Sequence, residues 1–383
     1  MRWVVVVVLV VHGLLHLMGV AKAFGLAELR QLTLPISRPM GLLWLGAAVL
    51  VLASAVALAL DARWFWVVGV CAIVASQAVI LSAWSDARFG TLANLVALLA
   101  VVSGFASRGP FSLRSEYGQA VRVGLASSPR AAAVTEADLE RLPAPVQRYV
   151  RLSGAVGQPQ VTDFRATWNG RIRGGVSEPW MVFRAEQYNF FAAPPARLFF
   201  MDATMKGLPV DIFHRFIDDS ATFRVRLLSA FTMVDAKGPE MNRSETVTLF
   251  NDLAILAPGR LIDPSIHWDP IDARRARARY SRGSETISAE LVFNDEGELV
   301  DFVTDDRLAA SKDGKSFTLQ RWTTPVRNYR SFGPRRVGTF GEARWEPPSG
   351  AFTYIELELV NIEYNVAGRA ATYPPPSFGP SPS

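Results

Sequence analysis

The sequence predicts a chain in two parts: a bundle of four membrane-spanning α-helices, then an α+β domain. The second part is expected to be a large curved antiparallel sheet, or incomplete barrel, with a covering helix. Three observations carry that expectation. The apolar residues of the 383-residue chain gather in four long runs before residue 107. From about residue 160 to 365, short runs alternate apolar and polar residues between Gly, Pro and Asp breaks, the two-residue period of strands with one buried face. Midway, "MNRSETVTLFNDLAILAPGRLID" (241–263) drops that period for a helical one.

Composition sets the outer limits. With 50% hydrophobic residues and a mean hydropathy of +0.17, the chain is too apolar for an ordinary soluble protein and too polar for a wholly membranous one. Residues 1–110 hold seven basic and three acidic residues, hence +4 of the formal net charge of +5, leaving +1 for the rest. So small a charge offers little phosphate neutralisation, and nucleic acid is not an expected partner. The one cysteine, Cys71, lies inside a span, which leaves no intramolecular disulfide and no Cys-rich metal site.

The first run, "WVVVVVLVVHGLLHLMGVA" (3–21), is too long for the apolar core of a signal peptide, and no small-residue cleavage motif follows it. It and the runs at 40–60, 64–83 and 89–106 each have spanning length. Trp44, Trp64, Trp66 and Trp84 sit near their ends, where the water–lipid boundary favours indole rings. Residues 1–106 therefore read as a multi-pass membrane unit, with the bilayer as its partner. Four spans return the chain to its starting side. That side carries Arg2, Arg63, Arg108, Arg114 and Arg122 against Lys22, Arg30, Arg38 and Arg88 on the other, five against four. The balance leans toward a cytoplasmic second domain but leaves the side undetermined.

His12 and His16, four apart, share a face of the first span, while Gln77 and Asn94 are polar groups in the third and fourth. Ionisable groups inside a span mark candidate functional sites. Two readings stay open: neutral imidazoles hydrogen-bonded to Gln77, Asn94 or main-chain carbonyls, or a small-molecule, quinone or proton role. A bis-histidine haem is not expected, since the other spans carry no histidine, and Asp86 near a boundary is the one further candidate metal ligand. No metal or cofactor is expected.

Residues 107–140 read as a linker with one amphipathic turn, "EYGQAVRVGL", at the membrane surface. Within "TEADLERLPAPVQRYVRLSG" (135–154), Thr135 caps one short helix, while Pro145 starts and Gly154 ends a second. The β-rich domain spans 141–366, and the Pro/Ser-rich tail 367–383 is expected to be disordered. About ten or eleven strands are expected, from "DFRATWNGRIR" to "FTYIELELVNIEYNV", with "NDEG" marking a hairpin. The lack of βαβ alternation excludes a doubly wound sheet.

In the helical stretch 242–257, Asn242 precedes Glu245 by three, a capping-box spacing, and Pro258-Gly259 ends the run. Leu249, Phe250 and Leu253 form a greasy stripe; Glu245, Asn251 and Asp252 form a polar one. The expectation is a helix laid on the sheet by its greasy stripe, each large side chain contributing about 1.5–3 kcal/mol, with the polar stripe in water.

Glu245 and Asp252 stand two turns apart, about 10 Å along the axis, near the upper limit for two carboxylates flanking a bond and a water. With Arg243 and His267 they are the candidate catalytic residues of a hydrolase or isomerase. His214 and His267 each have aspartates near in sequence, as a general-base pair needs. No nucleophile elbow, zincin or phosphate-loop motif occurs. The aromatic residues Trp168, Trp180, Phe213, Phe250, Trp268 and Trp322, with Leu253, point instead to a greasy ligand-binding interior. Arg274, Arg275, Arg277, Arg279 and Arg282 run along one strand and read as protection of a sheet edge or as contact with anionic lipid.

The stretches "LPAPVQRYVRLSG", "RSETVTLFNDLAILAPGRLIDPSIHW", "ISAELVFNDEGELVDFVTDDR" and "YIELELVNIEYNV" together resemble an uncharacterised bacterial family, a domain of unknown function, over about residues 140–365. The resemblance implies a bacterial inner membrane location and transfers no catalytic residue. The four-span unit is similar in size to DoxX-like membrane proteins. The sheet-and-helix layout resembles the half-barrel of lipoprotein carriers, which implies a hydrophobic small molecule or lipid as ligand. Three functions follow as expectations: a membrane-anchored lipid-binding module, a membrane-tethered hydrolase or isomerase using Glu245 and Asp252, or an envelope assembly protein without ligand.

Overall fold

The computed structural model describes residues 2–127, 131–191 and 195–366; the tail expected to be disordered, 367–383, lies outside them. Two compact units divide the chain, one within the first 115 residues and one beginning at Glu116.

The first unit holds α1 (Arg2–Ala23), α2 (Arg38–Ala59), α3 (Phe65–Ser82), the short α4 (Trp84–Ala87) and α5 (Gly90–Arg108). Four of its helices are long and apolar enough to cross a membrane. Helices this apolar, placed in lipid, would have no hydrophobic reason to associate, so close packing and polar contacts would have to hold them. Gly19 supplies such packing: a Cβ there would fall 2.3 Å from the Trp44 ring, so the indole lies flat on the α1 backbone. At one end of the unit, Asp61 in the α2–α3 turn takes Arg108 at 2.8 Å and Arg2 at 3.6 Å, joining both ends of the bundle's chain. Elsewhere Asp86 accepts from the Thr33 hydroxyl at 2.7 Å and the Leu34 amide at 2.9 Å, which pins the loop between α1 and α2.

The second unit contains most of α6 (Leu113–Ser127), then α7 (Ala144–Leu152). Six strands follow: β1 (Asp163–Ile172), β2 (Met181–Phe190), β3 (Ala196–Met205), β4 (Leu208–Ile217), β5 (Ser220–Leu227) and β6 (Phe231–Lys237). After α8 (Pro239–Leu256) come β7 (Ile266–Pro270), β8 (Arg275–Arg282), β9 (Glu285–Phe293), β10 (Leu299–Thr304) and β11 (Leu308–Ala310). The last five are β12 (Phe317–Leu319), β13 (Arg321–Thr323), β14 (Val326–Phe332), β15 (Arg335–Glu346) and β16 (Phe352–Tyr364). Fourteen form one antiparallel sheet in the order β6-β5-β4-β3-β2-β1-β16-β15-β13-β10-β9-β8-β7, with β14 paired beside β15; β11 and β12 form a separate hairpin. The strands beyond the expected ten or eleven include β6 and β14, whose side chains are mostly exposed and so lack the apolar alternation that reveals a strand.

Helix α8 touches β5 and β6 near one end of that order and β9 near the other. One helix can do this only if the sheet curls around it. The core forms where they meet, from inward rows such as Phe199, Met201 and Ala203 of β3 and Val210 and Ile212 of β4, against Val247, Leu249, Phe250 and Leu253 of the helix.

Three expectations need correction. The linker assignment included α6, but that helix packs on the opposite face of the sheet. Its Tyr117 is fully buried against Phe200 and Phe213, and its hydroxyl donates to Glu186 at 3.0 Å. The arginine-rich strand is β8, which stands inside the edge strand β7. Its outward arginines are largely neutralised: Arg275 pairs with Asp272 at 2.8 Å and Glu290 at 3.2 Å, and Arg279 with Asp269 at 3.5 Å. Helix α8 starts at Pro239, the first-turn position proline favours, with Gly238 before it at φ 105°; no side chain caps it. Asn242 instead accepts from the Ala221 amide of β5 at 2.8 Å.

Candidate functional site

The polar stripe of α8 is not in water. Every residue from Ser244 to Ala254 is buried, because the curled sheet covers more of the helix than its greasy stripe. Glu245 and Asp252 therefore enter a low-dielectric space, where an unpaired carboxylate is costly. The sheet supplies the counter-charge from β3. Arg197, its side chain 7% exposed, places Nε 2.6 Å from Asp252 and Nη1 3.2 Å from Glu245. The two carboxylates, an axial span apart, are thus bridged by one guanidinium.

Each carboxylate has further partners. Asp252 accepts from the side-chain amides of Gln187 at 2.6 Å and Asn189 at 3.1 Å, both from inward positions of β2, and Gln187 accepts from the Trp168 indole at 3.1 Å. Glu245 has His214 Nδ1 at 3.3 Å and Arg307, from the loop between β10 and β11, at 3.8 Å. Arg307 lies over the rings of Trp322 at 4.2 Å and Trp345 at 5.4 Å. Burial raises the Glu245 carboxyl, but His214, Arg197 and Arg307 outweigh it and hold its pKa at about 2. Burial lowers His214, only partly opposed by Glu245, so the imidazole is neutral near pH 7.

The other sequence candidates scatter. Arg243 points away from this cluster, to Glu285 at 3.0 Å and Asp306 at 2.5 Å. His267 is exposed on the edge strand beside Asp269 at 3.7 Å. Trp168, Phe250, Leu253 and Trp322 lie in the core around α8, where Phe250 stacks on Tyr280 at 5.0 Å. Trp268 is half-buried and donates to the Leu261 carbonyl at 3.3 Å. Phe213 lies on the opposite face under α6, and Trp180 is sandwiched near Arg171 and Arg173 at 4.6 and 4.5 Å. Sequence reasoning missed Arg197, Gln187, Asn189 and Arg307. A signal existed for Arg197: it heads the row Arg197, Phe199, Met201, Ala203, a cation at an inward position of a greasy strand face.

In the four-span unit, His12 Nε2 lies 3.1 Å from Asn94 Oδ1 and 3.0 Å from Ser76 Oγ, and Asn94 donates to Gln77 at 3.0 Å. His16 Nδ1 donates to the His12 carbonyl at 2.8 Å. All four polar candidates of these apolar helices thus belong to one hydrogen-bonded chain. Among the described residues, no three His, Cys, Asp or Glu side chains cluster as a metal site.

Clefts open on the second unit among the described residues. One of about 410 Å³ flanks the start of α8 and is lined by Lys237, Glu240, Lys315 and Phe317. Another of about 300 Å³ is lined by Phe191, Arg260, Tyr280 and Arg282. Neither of these two is lined by Glu245 or Asp252, both of which are buried.

Fold and site together define four helices long and apolar enough to cross a membrane, followed by an antiparallel trough that encloses a helix through buried ion pairs. Residues 132–357 match DUF6544, a family of unknown function, and the chain belongs to that family. No family match extends into the four-span unit, which leaves its DoxX-like resemblance unsupported. Comparison with curated proteins gives no match. Among solved structures, a DUF1329 family protein from Desulfovibrio piger is 13% identical, with 58% of this chain and 92% of that one covered and a TM-score of 0.34. A putative outer membrane lipoprotein-sorting protein domain from Vibrio parahaemolyticus is 9% identical, with coverage of 55% and 90% and a TM-score of 0.30. A LolA superfamily protein from Nitrosomonas europaea is 12% identical, with coverage of 61% and 94% and a TM-score of 0.32.

Proposed function

We propose that this protein is a membrane-anchored binding module for a hydrophobic ligand such as a lipid, taken up between α8 and the sheet. The observation that carries the reading is the junction of helix and trough. It is made through Arg197, Glu245 and Asp252 as well as through greasy contacts. Apolar side chains of similar volume commonly hold a core as well as buried ion pairs do, or better. A charged junction is one that a competing group or water can open. On this reading Phe250, Leu253 and their neighbours occupy the greasy space in a closed form, and loading requires α8 to move. The four-span unit keeps the module at the bilayer, where such ligands are.

Lipid extraction of the purified full-length protein followed by mass spectrometry tests the reading, together with titration of delipidated protein with a fluorescent fatty acid. A co-purifying lipid in stoichiometric amount and saturable probe binding are expected. Delipidated protein that binds no probe, with α8 amides exchanging no faster than those of β3, would overturn it in favour of a solid assembly domain.

A further inference from the structure

We infer that the ligand presents an anionic group, a carboxylate or phosphate, to the site now filled by the Glu245 carboxylate; the inference rests on the binding function proposed above. Glu245 occupies a built anion receptor. Arg197 Nη1 at 3.2 Å, His214 Nδ1 at 3.3 Å and Arg307 Nη2 at 3.8 Å converge on it, and none of the three comes from α8. The helix supplies the anion, while β3, β4 and the β10–β11 loop supply the receptor.

Charge balance then decides the ligand class. If α8 withdraws, Glu245 and Asp252 leave with it. Arg197 and Arg307, permanently charged and only 7% and 9% exposed, stay behind on β3 and the β10–β11 loop. A neutral lipid would leave two buried cations without a counter-ion, a costly arrangement. An acyl chain ending in a carboxylate restores one of the two negative charges the helix removes, and one ending in a phosphate up to both, with its chain along the greasy row of Phe199 and Met201. Arg307 points independently to the same conclusion. Its Nε has no hydrogen-bond partner although the side chain is nine-tenths buried, and Trp322 and Trp345 hold its guanidinium beside the Glu245 site. The receptor has donor capacity that Glu245 does not use. An oxyanion with three oxygens can use more of it than a carboxylate with two.

The test uses delipidated full-length protein in amphipol and three probes: a fluorescent fatty acid, the fatty alcohol of the same chain, and inorganic phosphate as competitor. The acid is expected to bind at least about tenfold tighter than the alcohol, with the preference lost in the Arg197→Gln, Arg307→Gln double variant. Should that variant fail to fold, Glu245→Gln serves. Removing the internal competitor should tighten the acid severalfold more than it tightens the alcohol, whose gain comes from the loosened helix alone. Equal binding of acid and alcohol by the parent protein, or no greater gain for the acid than for the alcohol in Glu245→Gln, overturns the anionic assignment while the binding function stands. Failure of both lipids to bind removes the binding function itself. Displacement of the acid by millimolar phosphate alone would transfer the site from a lipid headgroup to a free anion and overturn the lipid part of the inference.

Discussion

Arg197 of β3 and Glu245 of α8 meet at 3.2 Å with both side chains withdrawn from water, and the same guanidinium reaches Asp252 at 2.6 Å. The helix is tied to the sheet at two points by one side chain. Breaking a buried pair from one side leaves an uncompensated charge and costs about 3–5 kcal/mol. Arg197→Met is therefore expected to destabilise the second unit by that order and to speed amide exchange in α8. Replacing Arg197, Glu245 and Asp252 together by Met and Leu is expected to restore most of the loss. Chemical denaturation followed by tryptophan fluorescence checks both; a triple variant weaker than the single one would contradict the argument.

Acid should loosen the same junction. The Glu245 carboxyl is held at about 2 against an ordinary value of 4.5. Its folded form is thus depressed, and its stabilisation is complete above pH 4.5 and fades as pH falls toward 2, about 3 kcal/mol in all. His214 acts in the same direction, since a group lowered from 6.5 resists protonation that the unfolded chain accepts. Stability of the second unit should decline from about pH 6.5 downward. Glu245→Gln should flatten the part below pH 4.5, which unfolding curves at stepped pH will show.

Two tyrosines close the far end of α8. Tyr149 of α7 donates to the Ala254 carbonyl at 3.0 Å and Tyr364 of β16 to the Leu256 carbonyl at 2.8 Å. Both carbonyls belong to the last turn, which lacks helical partners. Tyr149→Phe and Tyr364→Phe should each cost about 1 kcal/mol. Exchange of the last-turn amides should rise while the middle of the helix stays protected, as amide exchange by mass spectrometry would reveal.

Within the four-span unit, Gly19→Leu is expected to force α1 from α2, since any Cβ meets the Trp44 ring at 2.3 Å. The aromatic ring cannot fold away as a flexible chain would. Thermal melting in detergent should drop by several degrees, and Trp44→Ala in the same chain should recover part of it. An unchanged melting temperature would show that the helices do not approach this closely.

Much of the fold was readable because burial imposes period. The row Phe199, Met201, Ala203 on β3 and the apolar helices α1, α2, α3 and α5 announce themselves residue by residue. The site was half readable. Glu245 and Asp252 stood out as polar residues on a helix, but a helical wheel cannot tell that a sheet will curl over the second face as well. Their partners come from 48 and 55 residues upstream and, for Arg307, from beyond β10. No local pattern couples positions so distant. Asn242 misled for a related reason: its spacing to Glu245 fits a cap, but tertiary contact with Ala221 claims the side chain first.

The uneven fastening of α8 gives any displacement a direction. Its carboxyl end hangs on the phenols of Tyr149 and Tyr364, whereas its amino end follows Gly238 at φ 105° with no capping side chain. The rod would therefore pivot like a gate on a post at Ala254–Leu256 once Asn242 lets go of Ala221 and Arg243 of Glu285 and Asp306, its amino end sweeping widest. Glu245, nearer that end than Asp252, would unlatch before the other carboxylate had shifted.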